Sequence, residues 1–309
     1  MIGLIVSALL PVIVTLLLGA IAGWRHDADA KAAGALNVMV LRYALPLSLF
    51  VGTMAMPAET LLQDGSLVLL LLAFLLGPFA LVFAISRFVA RRSLSAAALQ
   101  ALAVSFPALP FTGIPILTPL VGDVTTVLVA AGGIATNLVL VPFTLLILSV
   151  DEHGSGGAKT SLGATMVGAI LEPVVLAPVL ALVLVFAGVR LPLVLLDSFK
   201  LLGSAVGGVA LFSAGVVLQA QRPSFSWPVA ATVLGHVTVP FAAILVLHLL
   251  GASADVTKAL ALALALPGAA IVVILAVRYR VNPQEGATFL LLSNVMCVPA
   301  IALTLLLLG

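Results

Sequence analysis

Side chains that could bind an anion lie within long apolar stretches of this chain. Arg42, Asn137, His236 and Asn294 have mostly apolar neighbours, and Thr112 lies among four prolines. An amide or hydroxyl can donate a hydrogen bond to a carboxylate, and a guanidinium can pair with one through two parallel bonds. Polar groups are costly in apolar surroundings unless they have a partner, so each is a candidate binding residue.

The sequence leaves an alternative open for each of these residues. Asn137 and Asn294 could instead form hydrogen bonds between helices. Thr112 could bond back to its own helix. Arg42 could extend to the membrane interface or pair at a contact between subunits. His236 is a candidate for proton coupling because histidine titrates near neutral pH, and a packing role is its alternative.

Prolines interrupt two of the apolar stretches near their middle. One reads SFPALPFTGIPILTP and the other reads ALALALPGAAIVV. Proline breaks helices, and glycine lets a ligand approach the backbone, although it also lets helices pack closely. The helix half that follows a break offers free amide groups and a positive dipole end to an anion. The candidate site residues at these breaks are Pro107, Pro110, Gly113, Pro267 and Gly268.

The composition indicates a polytopic membrane protein. Hydrophobic residues make up 63% of the 309 residues and charged residues 8%, with a mean hydropathy of +1.35. Soluble domains carry roughly 25% charged residues. The apolar stretches lack the paired aspartates, Ser/His pair or His/Glu metal motif of an intramembrane enzyme. We therefore predict no enzyme activity, no metal and no cofactor, and we interpret Cys297 as a buried small residue.

We predict ten membrane spans, because a bilayer core needs about 20 apolar residues per helix. The glycine-rich stretch DEHGSGGAKTS divides them into a first repeat (1–150), a cytoplasmic linker (151–162) and a second repeat (163–309). The predicted spans are 2–23, 34–56, 66–89, 96–119, 124–149, 165–188, 194–219, 228–250, 256–278 and 286–308.

Basic residues predict the orientation. With the N-terminus outside, nine of the thirteen Lys and Arg residues fall in inside connections and three fall at the outside. Positive charge concentrates on the inside, so we predict both termini outside.

The two halves also match in sequence. TNLVLVP in the fifth span and SNVMCVP in the tenth lie 157 residues apart, and LLPVIV in the first span corresponds to LEPVVL in the sixth. Five spans per half force the second half to enter the membrane from the opposite side. Inverted repeats with paired broken helices are typical of secondary transporters.

Four stretches resemble the auxin efflux carrier family, and in particular its malonate-carrier-like bacterial branch. They are NVMVLRYALPLSLF, GIPILTPLVGD, FKLLGSAVGGVALFSAGVVL and RYRVNPQEGATFLLLSNVMCVP. The resemblance implies an all-α fold of two inverted five-helix repeats, similar to bile-acid symporters, in the bacterial cytoplasmic membrane. It implies a scaffold of helices one, two, six and seven, through which a homodimer forms. It also implies a moving transport domain of helices three to five and eight to ten.

The resulting prediction is a secondary active transporter of small organic anions, mono- or dicarboxylates such as malonate. Transport would follow an elevator-type mechanism, with the anion bound where the fourth and ninth helices cross. Its partners would be the substrate and the lipid bilayer, with no nucleic acid. The alternatives are a transporter of auxin-like or other aromatic carboxylates and a non-transporting anion sensor. PALPFTG lacks the asparagine that plant members carry at this crossing.

Overall fold

The computed structural model describes residues 2–55, 65–155, 171, 173–221 and 223–308. Within these ranges the secondary structure is helical, apart from turns, short connections and one isolated antiparallel backbone pair. Six of the described helices are long and apolar enough to cross a membrane, and three shorter ones are also apolar. The prediction of an all-α polytopic membrane protein is confirmed.

Eight helices precede the central connection in the described chain. Their bounds are α1 (Ile2–Trp24), α2 (Ala30–Met39), α3 (Leu45–Met54), α4 (Gly65–Ala84), α5 (Leu94–Ser105), α6 (Ile114–Val121), α7 (Val124–Ile134) and α8 (Val141–Ser155). Within the described chain, π-helical segments occupy Val40–Ala44, Ile85–Val89, Leu109–Gly113 and Ala135–Leu140.

The helices after the central connection end in the longest helix of the described chain. Their bounds are α9 (Pro173–Phe186), α10 (Leu193–Gly203), α11 (Ala205–Gln221), α12 (Trp227–Leu249), α13 (Ala254–Leu264), α14 (Ile271–Arg278) and α15 (Pro283–Leu308).

Two glycines bring α1 and α11 into direct backbone contact. A Cβ atom at Gly19 would overlap the carbonyl oxygen of Phe212, and one at Gly215 would overlap that of Leu16. Small residues of this kind allow membrane helices to pack closely. Around this pair, α2 packs on α11, and α3 packs on both α9 and α10. We refer to α1–α3 and α9–α11 as the first helix group.

A polar cluster joins helices of the remaining set. The Gln100 side chain on α5 donates to the Thr232 hydroxyl on α12 at 3.0 Å. It accepts from the Ser86 hydroxyl at 2.6 Å and from the Arg92 guanidinium at 3.1 Å. Arg92 also pairs with Glu285 on α15. The cluster ties four chain segments together, and we refer to α4–α8 and α12–α15 as the second helix group.

The structure divides two of the predicted spans. The chain leaves the helix between α5 and α6 and between α13 and α14, as the prolines predicted. Helices α10 and α11 meet at Ser204, which has helical backbone angles, and together they form one long apolar helix. The first five residues of the predicted linker (151–162) are helical, because α8 continues to Ser155. The rest of the linker, residues 156–162, lies outside the described residues. Residues 165–170 and 172 of the sixth span lie outside them as well.

Candidate functional site

The chain between α5 and α6 crosses the chain between α13 and α14. The Ala108 amide donates to the Pro267 carbonyl at 2.8 Å, and the Ala269 amide donates to the Phe106 carbonyl at 3.1 Å. These two bonds form one antiparallel backbone pair. Backbone groups freed by a helix break must find partners inside protein, and here each break supplies partners for the other.

Ser293 on α15 holds the crossing from one side. Its hydroxyl accepts from the Gly268 amide at 3.2 Å and donates to the Leu290 carbonyl at 3.0 Å. The Phe289 ring fills the space beside Gly268, so a Cβ atom there would collide with it. A larger residue at this position would force the Phe289 ring on α15 to move.

A cavity of about 470 Å³ lies between the crossing and the first helix group. Ligand sites have volumes of about 300–1,000 Å³, with mostly apolar walls and a few polar groups. The walls here follow that pattern. The polar side chains that line the cavity are Ser48, Thr112, Thr126, Lys200, Ser204 and Asn294.

Asn294 presents unused hydrogen-bonding groups. Its side chain is buried, and its amide nitrogen donates to the Leu290 carbonyl at 2.7 Å. That nitrogen has a second N–H, and the carbonyl oxygen Oδ1 has no partner among the described residues.

Backbone amides at the start of α14 add further donors. Among the described residues, no backbone carbonyl accepts from the amides of Ala270 or Ile271, and both residues line the cavity. The positive end of the α14 dipole lies here. Ala270, Ile271 and Asn294 therefore line the same cavity at the start of α14.

Lys200 on α10 is the one charged residue among the described residues that line this cavity. No ion pair joins Lys200 to Asp197, three residues earlier on the same helix, in the described structure. The Lys200 side chain is exposed, and the described lining residues include no carboxylate. The electrostatics favour an anionic ligand.

Four of the predicted site residues line the cavity: Thr112, Pro267, Gly268 and Asn294. The Thr112 hydroxyl, however, donates to the Ala108 carbonyl at 3.0 Å, which was its alternative role. A Cβ atom at Gly113 would meet the Val129 side chain, so this glycine serves helix packing.

Other predicted residues lie elsewhere. Pro107 forms part of the crossing itself. Arg42 is exposed in the π-helical segment after α2 and is not among the residues that line the cavity. His236 is buried on α12, behind the crossing rather than in the cavity. Pro110 and Asn137 lie in π-helical backbone, but their side chains are outside the described part of the structure.

Sequence reasoning missed several contributors. Ser48, Thr126 and Ser204 line the cavity, and Ser293 supports the crossing. Of these, only Ser293 carried a usable signal, because a hydroxyl residue precedes the asparagine in both copies of the repeated stretch, TNLVLVP and SNVMCVP. Lys200 also lines the cavity and was not among the predicted site residues.

A family model described as membrane transport protein matches residues 4–305. The chain belongs to the auxin efflux carrier family of membrane transporters. The family predicted from the sequence is therefore confirmed. A family of transporters accounts for a broken-helix crossing with a cavity beside it better than an intramembrane enzyme does.

Among the relatives of this auxin efflux carrier family member are proteins named uncharacterized transporter YfdV. The one from Escherichia coli (strain K12) is 35% identical over 292 residues, covering 93% of this chain and 92% of its own. The proteins of the same name from Escherichia coli O157:H7 and Shigella flexneri match with the same identity and coverage. The similarity therefore extends over both helix groups.

Proposed function

We propose that this protein is a secondary active transporter of small organic anions, which bind in the cavity beside the crossed helices. The observation that supports the proposal is that residues with hydrogen-bond donors line one cavity beside the start of a helix. They are Asn294, Lys200, and Ala270 and Ile271, whose amides have no backbone acceptor among the described residues. A carboxylate would satisfy the donors and neutralise the lysine.

The character of the walls bears on the substrate class. Malonate, the dicarboxylate predicted first, would place two charges in this space. Apart from its few polar groups, the cavity is lined by apolar side chains such as Leu45, Leu49, Phe106, Ile274 and Leu290. Burying a second carboxylate against such walls is costly without a second cation. A monocarboxylate with an apolar body, the alternative class, matches the donors at one end and the walls at the other.

The two helix groups support a movement of the elevator type. The first group is held together by the glycine contacts between α1 and α11, and the second by the Gln100 cluster. The cavity is lined by both groups. A ligand bound to the crossing could therefore travel with the second group while the first stays fixed.

The finer features of the sequence prediction belong to the same proposal. We infer ten spans in two inverted repeats, with both termini outside, in a bacterial cytoplasmic membrane. The first helix group would form the scaffold and the contact of a homodimer. Proton motive force or membrane potential would drive transport.

The test is uptake into proteoliposomes of radiolabelled phenylacetate and malonate, with an imposed pH gradient or membrane potential. We expect phenylacetate to accumulate with a lower KM than malonate. Lys200→Gln should raise the KM for phenylacetate about tenfold, which is equivalent to about 1.4 kcal/mol. Lys258→Gln is the matched control, because Lys258 does not line the cavity.

Three results would contradict the proposal in different ways. If the two lysine substitutions changed the KM equally, Lys200 would not be part of the binding site. Preferred uptake of malonate would reject the monocarboxylate. If folded protein neither transported nor bound either anion, the proposed substrate class would be wrong.

A further inference from the structure

His236 joins the two interrupted helices from behind the crossing. Its Nδ1 lies 3.1 Å from the Val104 carbonyl oxygen, and its Nε2 lies 3.0 Å from the Leu266 carbonyl oxygen. The ring is 5% exposed. One imidazole thus contacts the backbone of both breaks, on the side that faces away from the cavity.

Both carbonyl groups belong to the ends of helix halves. Val104 is in the last turn of α5, and Leu266 follows the end of α13 by two residues. The last carbonyls of a helix lack partners within it and carry the negative end of the dipole. Two negative helix ends therefore meet at His236, whereas the positive end of α14 faces the cavity. Their two carbonyls offset part of the cost of burying a charged ring here.

The chemistry of the partners points the same way. A carbonyl oxygen can only accept a hydrogen bond. A neutral imidazole has one N–H donor, so one of its nitrogens would present a lone pair to a carbonyl lone pair at about 3 Å. An imidazolium has two donors and satisfies both carbonyls. Both contacts can be hydrogen bonds only when the ring is protonated on both nitrogens.

No other described ionisable group bonds to the ring. The helices packed on α12 are α4, α5, α13 and α15. Neither α4 nor α5 contains an ionisable residue, while α13 carries Asp255 and Lys258, and α15 carries Glu285 and Cys297. On α12 itself, His248 lies in the last turn. The ring of Phe289 contacts His236 edge to face, with centroids 5.5 Å apart.

We propose that His236 is a proton-controlled clasp on the crossed helices. Protonated, it holds α5 and α13 together by two bonds, and the anion site on the far side of the crossing is formed. Deprotonated, it keeps one bond, the other contact becomes repulsive, and the crossing loosens. Anion binding then requires a proton at His236, and the two are carried together. This coupling rests on the proposed transport function, whereas the protonation of the ring does not.

The first experiment is nitrogen NMR of ¹⁵N-histidine-labelled protein in detergent without any anion. The chain has only four histidines, so His236→Gln assigns the His236 signals by their loss. We expect both ring nitrogens to be protonated at low pH, with one titration to the neutral form. A ring that is neutral from about pH 5 to 8, where histidine ordinarily titrates, would overturn the clasp.

The second experiment measures phenylacetate binding across the same pH range. In the wild type we expect the Kd to rise by up to about tenfold per pH unit above the titration, because proton and anion binding are reciprocally linked. His236→Gln should bind with a pH-independent Kd, and the exposed-end control His248→Gln should keep the wild-type profile. An unchanged pH profile in His236→Gln would reject the coupling. If phenylacetate did not bind at any pH, the proposed substrate would fail, and the NMR result would still decide the clasp.

Discussion

Replacing Ser293 with alanine should weaken the crossing through a single backbone group. The substitution removes the acceptor of the Gly268 amide, which is buried beside Phe289. The Leu290 carbonyl loses the serine as a donor, but it retains the Asn294 side chain at 2.7 Å. Only one buried N–H is therefore left without its partner.

The expected magnitude follows from that count. A buried donor without an acceptor costs about 1–3 kcal/mol. Gly268 also lines the cavity, where water can reach it, so we expect a loss near the lower end, about 1–2 kcal/mol. Ser198→Ala is the matched control, since the Ser198 hydroxyl is exposed and bonds only to its own helix. Its effect should stay within about 0.5 kcal/mol.

The assay is reversible unfolding of both variants in the same detergent, followed by phenylacetate binding. Ser293→Ala should lower the free energy of unfolding and weaken binding, because the crossing forms one wall of the cavity. Ser293→Cys, which keeps a weak acceptor, should fall between the alanine variant and the wild type. Equal stabilities of Ser293→Ala and Ser198→Ala would refute the view that this hydroxyl holds the crossing.

Two further predictions concern the helix groups. Gly215→Ala should lower the free energy of unfolding by about 1–3 kcal/mol or more, because its Cβ would collide with the backbone of α1. Gly208→Ala is the control, since it has open space around it and should be neutral or slightly stabilising. If both variants unfolded at similar temperatures, the close packing of α1 on α11 would be contradicted. Arg92→Ala should cost about 1.5–3 kcal/mol, because Glu285 and Gln100 lose a charged partner in a partly buried cluster. Arg190→Ala, at an exposed position, should change the free energy of unfolding by no more than about 0.5 kcal/mol in the same assay. Equal losses in the two arginine variants would show that the cluster does not stabilise the fold.

The interruptions of the two helices were readable from the sequence because proline and glycine act through the chain itself. Pro107 and Pro267 each remove a backbone donor and crowd the preceding turn, which favours a break. Pro78 and Pro240 lie inside continuous helices, so it was the paired placement near mid-span that indicated the breaks. The repeated Asn-x₃-Val-Pro pattern also showed which spans correspond, and it led to Asn294. Its partner in the repeat, Asn137, remains a prediction.

The lining of the cavity was much less readable. Lys200 lines the cavity from α10, and no local sequence pattern marks it as a cavity residue. Arg42 drew attention as a charge within an apolar span, yet it is exposed and outside the lining. Local sequence shows that a charge is costly, but only the packing of helices determines what it faces.

Hydrogen-bond partners on the backbone, such as those of His236, cannot be predicted from side-chain identity. Every residue type has a carbonyl, so the acceptors of His236 at Val104 and Leu266 leave no mark in the side chains that carry them. A conservative change such as Leu266→Ile would keep the carbonyl, and with it the bond to Nε2. Scanning side chains around the crossing would therefore find His236 sensitive and both of its partners tolerant. That pattern, which would ordinarily suggest an isolated packing histidine, is the one that a clasp on two backbone carbonyls requires.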